Sequence, residues 1–439
     1  MNRWFVAAIV TLALIVLVSP GIVGRLAERS VEENLNFAAS ESDELVITTE
    51  SFERGWFTSE GRHRIELGKG AVRTLFETNP GAQVPSLIVE THVDHGLFPV
   101  TSLSRDSGSL MPGLASTVST LKFDTGNGEI FEVPGKIYSQ VGLTGETTSH
   151  LRMEAGSTDI EAARLAWQGA DVTVQTNPQA GSVSFKGEVS PLSFLDEDGG
   201  FEFGRIAVDG QQNRTPFGFN VGTIHIELES VAINSVANPA MQFGPLAIDA
   251  KSDIDGEKVN ASTKFTINSV PTPGLGDVDI TLDMALDRVD ARSFQKIAEA
   301  VRNAQASADP QQAIQSMYPL VEDDVQKILS SGLEIRFDQF DISSPSGELT
   351  TRFQFSLPPT DPDTEFSWSA LLLALDASAD VRLPVALYEM AELMSPDVGM
   401  LVAMGIFKKV GEYYEMKAEY SQGLVTVNGA PMPIPLPGM

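Results

Sequence analysis

Five histidines, His63, His92, His95, His150 and His225, are the side chains of this sequence best suited to proton transfer or metal binding near neutral pH. His92 and His95 lie three residues apart. On a strand they would face opposite sides, so a metal pair there needs a turn to bring them together. The chain contains no His-Glu-x-x-His, no Gly-x-Ser-x-Gly, no phosphate-binding P-loop and no Gly-x-Gly-x-x-Gly. Asp253-x-Asp255-Gly256 and Asp361-Pro362-Asp363-Thr364-Glu365 look like fragments of calcium loops. Neither completes the required series of spaced oxygen ligands. Turn chemistry explains the first and a solvated loop the second. Among 59 acidic residues no glycosidase-like carboxylate pair stands out. With no cysteine, disulfides, thiol catalysis, zinc–thiolate sites and iron–sulfur clusters are excluded. These residues nominate no catalytic group, no metal and no cofactor, and the chain reads as non-enzymatic.

The charge balance of 30 basic against 59 acidic residues gives a net −29. Such a chain is repelled by nucleic acid and by anionic headgroups, which argues against nucleic-acid binding and against adsorption to a membrane surface. A chain of 439 residues exceeds the usual single-domain size, so one elongated domain or two packed halves is expected.

From Trp4 to Val18 the only polar residue is Thr11, and the run extends through Ser19-Pro20-Gly21-Ile22-Val23. Twenty residues at about 1.5 Å each cross a hydrocarbon layer of about 30 Å. Trp4, Phe5, Ile9, Leu12, Leu14, Ile15 and Leu17 supply the apolar surface. Signal-peptide cleavage needs small residues at −3 and −1. Neither Ser19-Pro20-Gly21 nor Ile22-Val23-Gly24 fits well, which favours a retained anchor over residues 1–24. The remaining body, 25–439, reads as lying outside the cytoplasm, in a Gram-negative periplasm.

After a short juxtamembrane helix over residues 25–42, the dominant signal is alternation with period two. Val172 and Val174 alternate with polar neighbours, as do Val183, Phe185 and Val189; Ile224, Ile226 and Leu228; and Ile280, Leu282 and Met284. Further alternating runs cover residues 333–342, 349–357 and 424–427. Turn residues such as Asp255-Gly256 and Asn428-Gly429 separate them. Connections this short allow only antiparallel hairpins and meanders. The expected fold is mainly β with late helices: a long curved antiparallel sheet preceded by a transmembrane helix. A sheet with one apolar face must curl, fold into a sandwich or keep a covered groove.

Two helical insertions are expected, near 291–330 and 383–417. Phe294, Ile297, Ala298 and Val301 recur at helical spacing. Asp309-Pro310-Gln311-Gln312 is a helix start signal, Pro319 predicts a kink, and Gly332 a C-terminal cap. Residues 398–407 are apolar on every side but too short to cross a bilayer. Val398, Leu401, Val402, Ile406 and Phe407 are therefore candidates either for a helix buried on the sheet, for the lining of an apolar groove, or for an interfacial segment. The Pro431–Pro437 tail predicts polyproline II.

Three segments carry a family resemblance. Arg54-Gly55-Trp56-Phe57-Thr58-Ser59 is the most specific. His95-Gly96-Leu97-Phe98-Pro99 is similar to a second family segment that usually has proline at its third position, where this chain has Leu97. The third is Gly423 to Gly429, ending Asn428-Gly429. On these the chain resembles the YdgA-like family of bacterial envelope proteins of unknown function. The resemblance implies an N-terminal membrane segment and a periplasmic β-rich body with late helices, and brings no established reaction. Read by themselves, Gly55 permits a turn, Trp56 and Phe57 supply apolar area and Arg54 can stack or pair.

The sequence leads to an inner-membrane-anchored, non-enzymatic envelope protein that shelters phospholipid or another apolar ligand in a sheet groove. Two alternatives stand beside it: a self-associating scaffold that binds its own copies or other envelope proteins, and an envelope hydrolase. An open apolar groove favours the first, and a sandwich packed shut counts against it.

Overall fold

The computed structural model describes residues 45–432, with breaks at 55–57, 69–72, 74–83, 96–114, 127–129, 143, 161–162, 178, 197–198, 236–240, 306–309, 362–363, 365 and 396. The run Trp4–Val23 and the expected 25–42 helix lie outside the described residues. Among the described residues no helix is long and apolar enough to cross a membrane. The chain divides into two compact units. Unit 1 holds the residues up to Arg214 with Val231–Ala240 and Ala300–Met317; unit 2 holds Thr215–Ser230, Met241–Glu299 and Tyr318–Met439.

In unit 1 the alternating runs form an antiparallel meander. Its strands are β1 (Leu45–Arg54), β2 (Thr58–Leu67), β3 (Ser86–His95), β4 (Ala115–Asp124), β5 (Ile130–Val141), β6 (Thr147–Met153), β9 (Ala170–Asn177), β10 (Ser182–Val189) and β13 (Ile206–Arg214). Each pairs with the next in that order. A second antiparallel sheet contains β7 (Gly156–Ile160), β8 (Ala163–Trp167), β11 (Leu192–Asp196), β12 (Gly199–Phe203) and β15 (Val231–Ser235). Its core is Leu165, Leu192 and Phe194, with Trp167 and Phe203 packed against them.

One face of the meander is a closed core. Val93, Leu121, Val172, Ile137 and Leu151 are buried, and so are hydroxyl residues in the same rows. Four of these hydroxyls pair across strands, Thr91 with Ser119 at 2.8 Å and Ser149 with Ser139 at 2.9 Å. This satisfies groups that would otherwise lose their water.

The opposite face of β1 to β4 carries a neutralised charge ladder. Glu50 sits where the β1–β2 register shifts, and its carboxylate accepts from Arg62 Nε at 2.6 Å and Arg64 Nε at 2.5 Å. Arg62 reaches on to Glu90, Lys122 meets the other Glu90 oxygen, and Arg64 meets Asp124. Hydrogen bonds from Arg64 and Arg62 hold the Glu50 carboxyl below its ordinary range, and one from Arg64 does the same for Asp124. Behind the ladder His63 is buried beside Thr49 Oγ1 at 3.1 Å, and burial pushes its imidazole pKa down.

The signs set two acid windows. Burial disfavours the protonated imidazole of folded His63, whereas the unfolded chain takes up that proton below about pH 6.5, so stability falls as pH drops through that value. The two carboxylates contribute fully above about pH 4 and lose that contribution as pH falls through their depressed folded values. The thermal midpoint is therefore expected to decline in two steps. His63→Gln should remove the first step and Glu50→Gln should shrink the second. A wild-type curve flat from pH 7 to 5 would contradict the reading of His63.

Unit 2 continues the meander pattern. Its ladder is β14 (Asn220–Leu228), β17 (Leu246–Asp255), β18 (Lys258–Thr272), β19 (Gly276–Asp290), β20 (Glu334–Ser344), β21 (Gly347–Ser356), β22 (Asp376–Pro384), β24 (Tyr413–Ser421), β25 (Leu424–Val427) and β26 (Ala430–Met432). The three-residue strand β23 (Lys408–Val410) adds to β24, and β16 (Met241–Phe243) precedes β17.

Five helices are described: α1 (Ala291–Gln305), α2 (Pro310–Ser330), α3 (Trp368–Ala374), α4 (Val385–Met394) and α5 (Asp397–Ala403). The first two match the expected insertion. α2 starts at Pro310, contains Pro319, and is followed by Gly332 at φ +93°. The second insertion is shorter than the expected 383–417. It ends at Ala403, because Tyr413 to Ser421 alternate and pair along β22 as a strand. The apolar stretch 398–407 is likewise not one helix: it turns after Ala403, where Ile406 N–H and Phe407 N–H donate to Leu401 O. Of the expected polyproline tail, Pro431 and Met432 lie in the short strand β26, which pairs with β25, and residues 433–437 lie outside the described residues.

Candidate functional site

The alternation places one side of unit 2's sheet in register across many strands. One row runs Ile226, Ile248, Phe265, Leu282, Phe340, Thr351, Val381 and Met416, from β14 to β24. A neighbouring row runs Thr263, Met284, Phe337, Phe353, Ala379 and Ala418. Phe337 and Phe340 are three apart and would face opposite sides of a regular strand. The β19–β20 register shifts between them, opposite Asp283 and Met284, so both stay on this face. Phe337 and Phe353 pack edge to face at 6.0 Å.

This face contains no charged side chain in either row. The reverse side is polar: His225, Asp249, Lys264, Asp283 and Gln339 follow one another in register. There Arg352 and Gln339 bind Asp341. Burial pushes the Asp341 carboxyl up, but those hydrogen bonds outweigh it and hold the group below its ordinary range.

The apolar face differs from the buried face of unit 1 in one respect: it is not closed. None of the apolar side chains in the two rows from Phe265 to Met416 is buried, and Phe340 and Phe353 are 37% and 36% exposed. Among the described residues, helices cover its ends. At one end α1 and α2 join Val259, Val289 and Leu333 in a core that takes in Phe294, Ile328, Ile335 and Phe355. At the other, Tyr388 of α4 stacks on Tyr414 at 3.9 Å and meets Phe407 at 6.5 Å. From β14 to β24 the first row crosses eight strands, about 34 Å at a strand spacing of about 4.8 Å. That exceeds the half-thickness of a bilayer's hydrocarbon, about 15 Å. Exposed apolar patches larger than a few hundred Å² are uncommon on monomeric soluble proteins.

The residues nominated from sequence fall into three places. Val398, Leu401, Val402, Ile406 and Phe407 are half-buried in and after α5, beside α4 at the end of this face. Asn428 and Gly429, at φ +50° and +77°, form the β25–β26 turn. Asn428 Nδ2 donates to Gly405 O and Ile406 O, and its Oδ1 accepts from Lys417 N–H. This residue buckles the α5 turn to β24. At about 1 kcal/mol for each bond, Asn428→Ala should cost about 3 kcal/mol. Asn428→Gly should cost slightly less because it keeps the left-handed turn. Urea unfolding checks this; a loss under about 0.5 kcal/mol in both variants would refute the buckle.

Arg54 ends β1 and His95 ends β3, and Thr58 pairs with Asp94 while His95 pairs with Ala115. The first two motifs therefore reach the same end of unit 1's meander, although residues 55–57 and 96–99, including Gly55, Trp56, Phe57, Gly96 and Pro99, lie outside the described residues. The other histidines are dispersed. His150 meets Thr173, His225 meets Asp249, and His92 lies between Glu60 and Asp94. Among the described residues no three metal-ligating side chains converge. Asp253 accepts from Asn260 across the β17–β18 hairpin, as turn chemistry predicts.

What these observations define is a β-meander protein with a closed first unit and an open apolar sheet face in its second. The chain belongs to a family of bacterial proteins of unknown function, DUF945, whose model matches residues 1–435. It is similar to Protein YdgA of Escherichia coli K12, with 24% identity over 334 residues. The match covers 70% of this chain and 64% of that protein, so it spans less than two thirds of the relative's length. No solved structure matches the chain.

Proposed function

We propose that this protein is a non-enzymatic component of a Gram-negative envelope that shelters the acyl chains of a phospholipid on the apolar face of unit 2. The reading has Trp4–Val23 anchoring it in the inner membrane, single-pass, with the body in the periplasm. The observation that carries the reading is the contrast between the two units. Both alternate with period two, yet the core rows of unit 1 are sealed while Phe265, Leu282, Met284, Phe337, Phe340 and Phe353 stay half-open. Water against such a face is costly, at about 25 cal/mol per Å² of apolar surface. A hydrocarbon occupant removes that cost, and the absence of charge in the rows suits a chain and not a headgroup. The length of the face accommodates chains of leaflet length.

The test is native mass spectrometry with lipid extraction on residues 25–439, exported to a periplasm and purified without detergent. Near-stoichiometric phospholipid supports the reading. A lipid-free monomer sinks it, and a lipid-free dimer moves the self-associating scaffold to the front.

A further inference from the structure

The elements that close one end of the apolar face leave three of their own large apolar residues exposed. Leu393 at the end of α4 is 87% exposed, and Met400 in α5 and Met404 just after it are 56% and 63% exposed. Met404 N–H donates to Met400 O, so these two lie one helical turn apart. The α4–α5 pair is nonetheless well seated. Tyr388 is buried, its hydroxyl donates to Val398 O at 3.0 Å, and Asn428 holds the turn that follows. Three large apolar side chains thus project from a fixed corner whose inner side packs onto the end of the apolar face.

We infer that the α4–α5 corner of unit 2 is the part of the body that dips into a bilayer surface, where chains pass between membrane and apolar face. This rests on the functional reading above. Continuity is the first argument: Tyr388 links the corner directly to Tyr414, which stands beside Met416 on β24 with its side chain on the same face. Reach is the second. Residues 24–44 separate the N-terminal apolar run from β1, a span of up to about 70 Å at about 3.3 Å per residue. A body tethered this way stays close to the bilayer. The third is chemistry. Lys409 lies 5.9 Å from the Tyr414 ring, an aromatic and a cation side by side as at an interfacial element. Against this one cation α4 itself carries two acids, Glu389 and Glu392. The attraction is therefore apolar, and zwitterionic lipid suffices.

The chain has no cysteine, so single cysteines can be placed at will. Leu393→Cys, Met400→Cys and Met404→Cys, each carrying an environment-sensitive fluorophore, would be reconstituted as the full chain in phosphatidylcholine vesicles. Lys186→Cys, on an exposed side chain in unit 1, is the control. Insertion of about 5–10 Å is expected. Emission should then shift to the blue at all three positions, and shallow spin-labelled lipid should quench it at least about twofold more than lipid labelled near the chain end. The control should do neither, and adding phosphatidylglycerol should not strengthen the signal. Solvent-like emission at all three positions overturns the inference. So does a blue shift present before lipid is added together with a doubled mass in light scattering, which would mean that a second copy covers the corner. Lipid found by mass spectrometry with no insertion here would refute the corner and leave the ligand reading standing; insertion without bound lipid would do the reverse.

Discussion

Phe353→Asp is expected to lower the phospholipid retained by the protein at least about tenfold, equivalent to about 1.4 kcal/mol, while the body stays folded. Phe353 faces Phe337 and Ala379 across the neighbouring strands and is 36% exposed. An aspartate there keeps access to water in the empty protein, so the cost to folding is modest. Once hydrocarbon covers the face, the same carboxylate must give up its water or stay unpaired against an acyl chain, and neither is favourable. Gln354→Ser, one residue along β21 and on the polar side, should leave lipid retention unchanged. Equal retention in Phe353→Asp and the wild type would mean that the ligand, if any, lies elsewhere. Asp variants at Phe340 and Met284 should behave like Phe353→Asp, since they occupy the same two rows.

Gly187→Val should unfold unit 1 or cost about 4 kcal/mol or more, the range reached when a core must be forced apart. A Cβ at Gly187 in β10 would meet Asp171 O, the Val172 backbone at 2.5 Å and the Val172 side chain at 2.8 Å. Val172 is 1% exposed in the middle of the sealed face. The obstacle is mostly backbone, so no side-chain rotation relieves it, and β9 and β10 must separate. Gly187→Ala should cost less but still clearly destabilise. Urea unfolding and soluble yield measure both variants. A Gly187→Val protein melting within a degree or two of the wild type would show that the β9–β10 spacing is looser than described.

These two positions show what the sequence makes legible. Alternation at Val172 and Val174, at Val183, Phe185 and Val189, and at Ile280, Leu282 and Met284 suffices to place β9, β10 and β19. Asp255-Gly256 and Asn428-Gly429 mark hairpin turns, with both glycines at positive φ. The Asp-Pro-Gln-Gln signal fixes where α2 begins. Period alone does not say whether an apolar face is sealed. Val172 and Leu282 have the same local pattern, and only what packs above them distinguishes a buried residue from a half-open one. Ten apolar residues in a row make 398–407 the conspicuous stretch in the sequence. The open face is instead spread over many strands, two or three residues from each, and is assembled only by register. The β20 register shift was equally hidden, since without it Phe337 and Phe340 cannot share a side. Periodicity does not reveal α3, because Trp368–Ala374 is only seven residues long; its Ser367 cap is the local signal.

The central claim is that hydrocarbon lies on unit 2's apolar face. The most direct measurement is photocrosslinking with p-benzoylphenylalanine in place of Phe353 or, one residue on, Gln354, in the full chain in cells fed labelled phosphate. The account predicts ultraviolet-dependent phospholipid label on the protein from position 353 and background from position 354. Equal label at both positions, or none at 353, would contradict it.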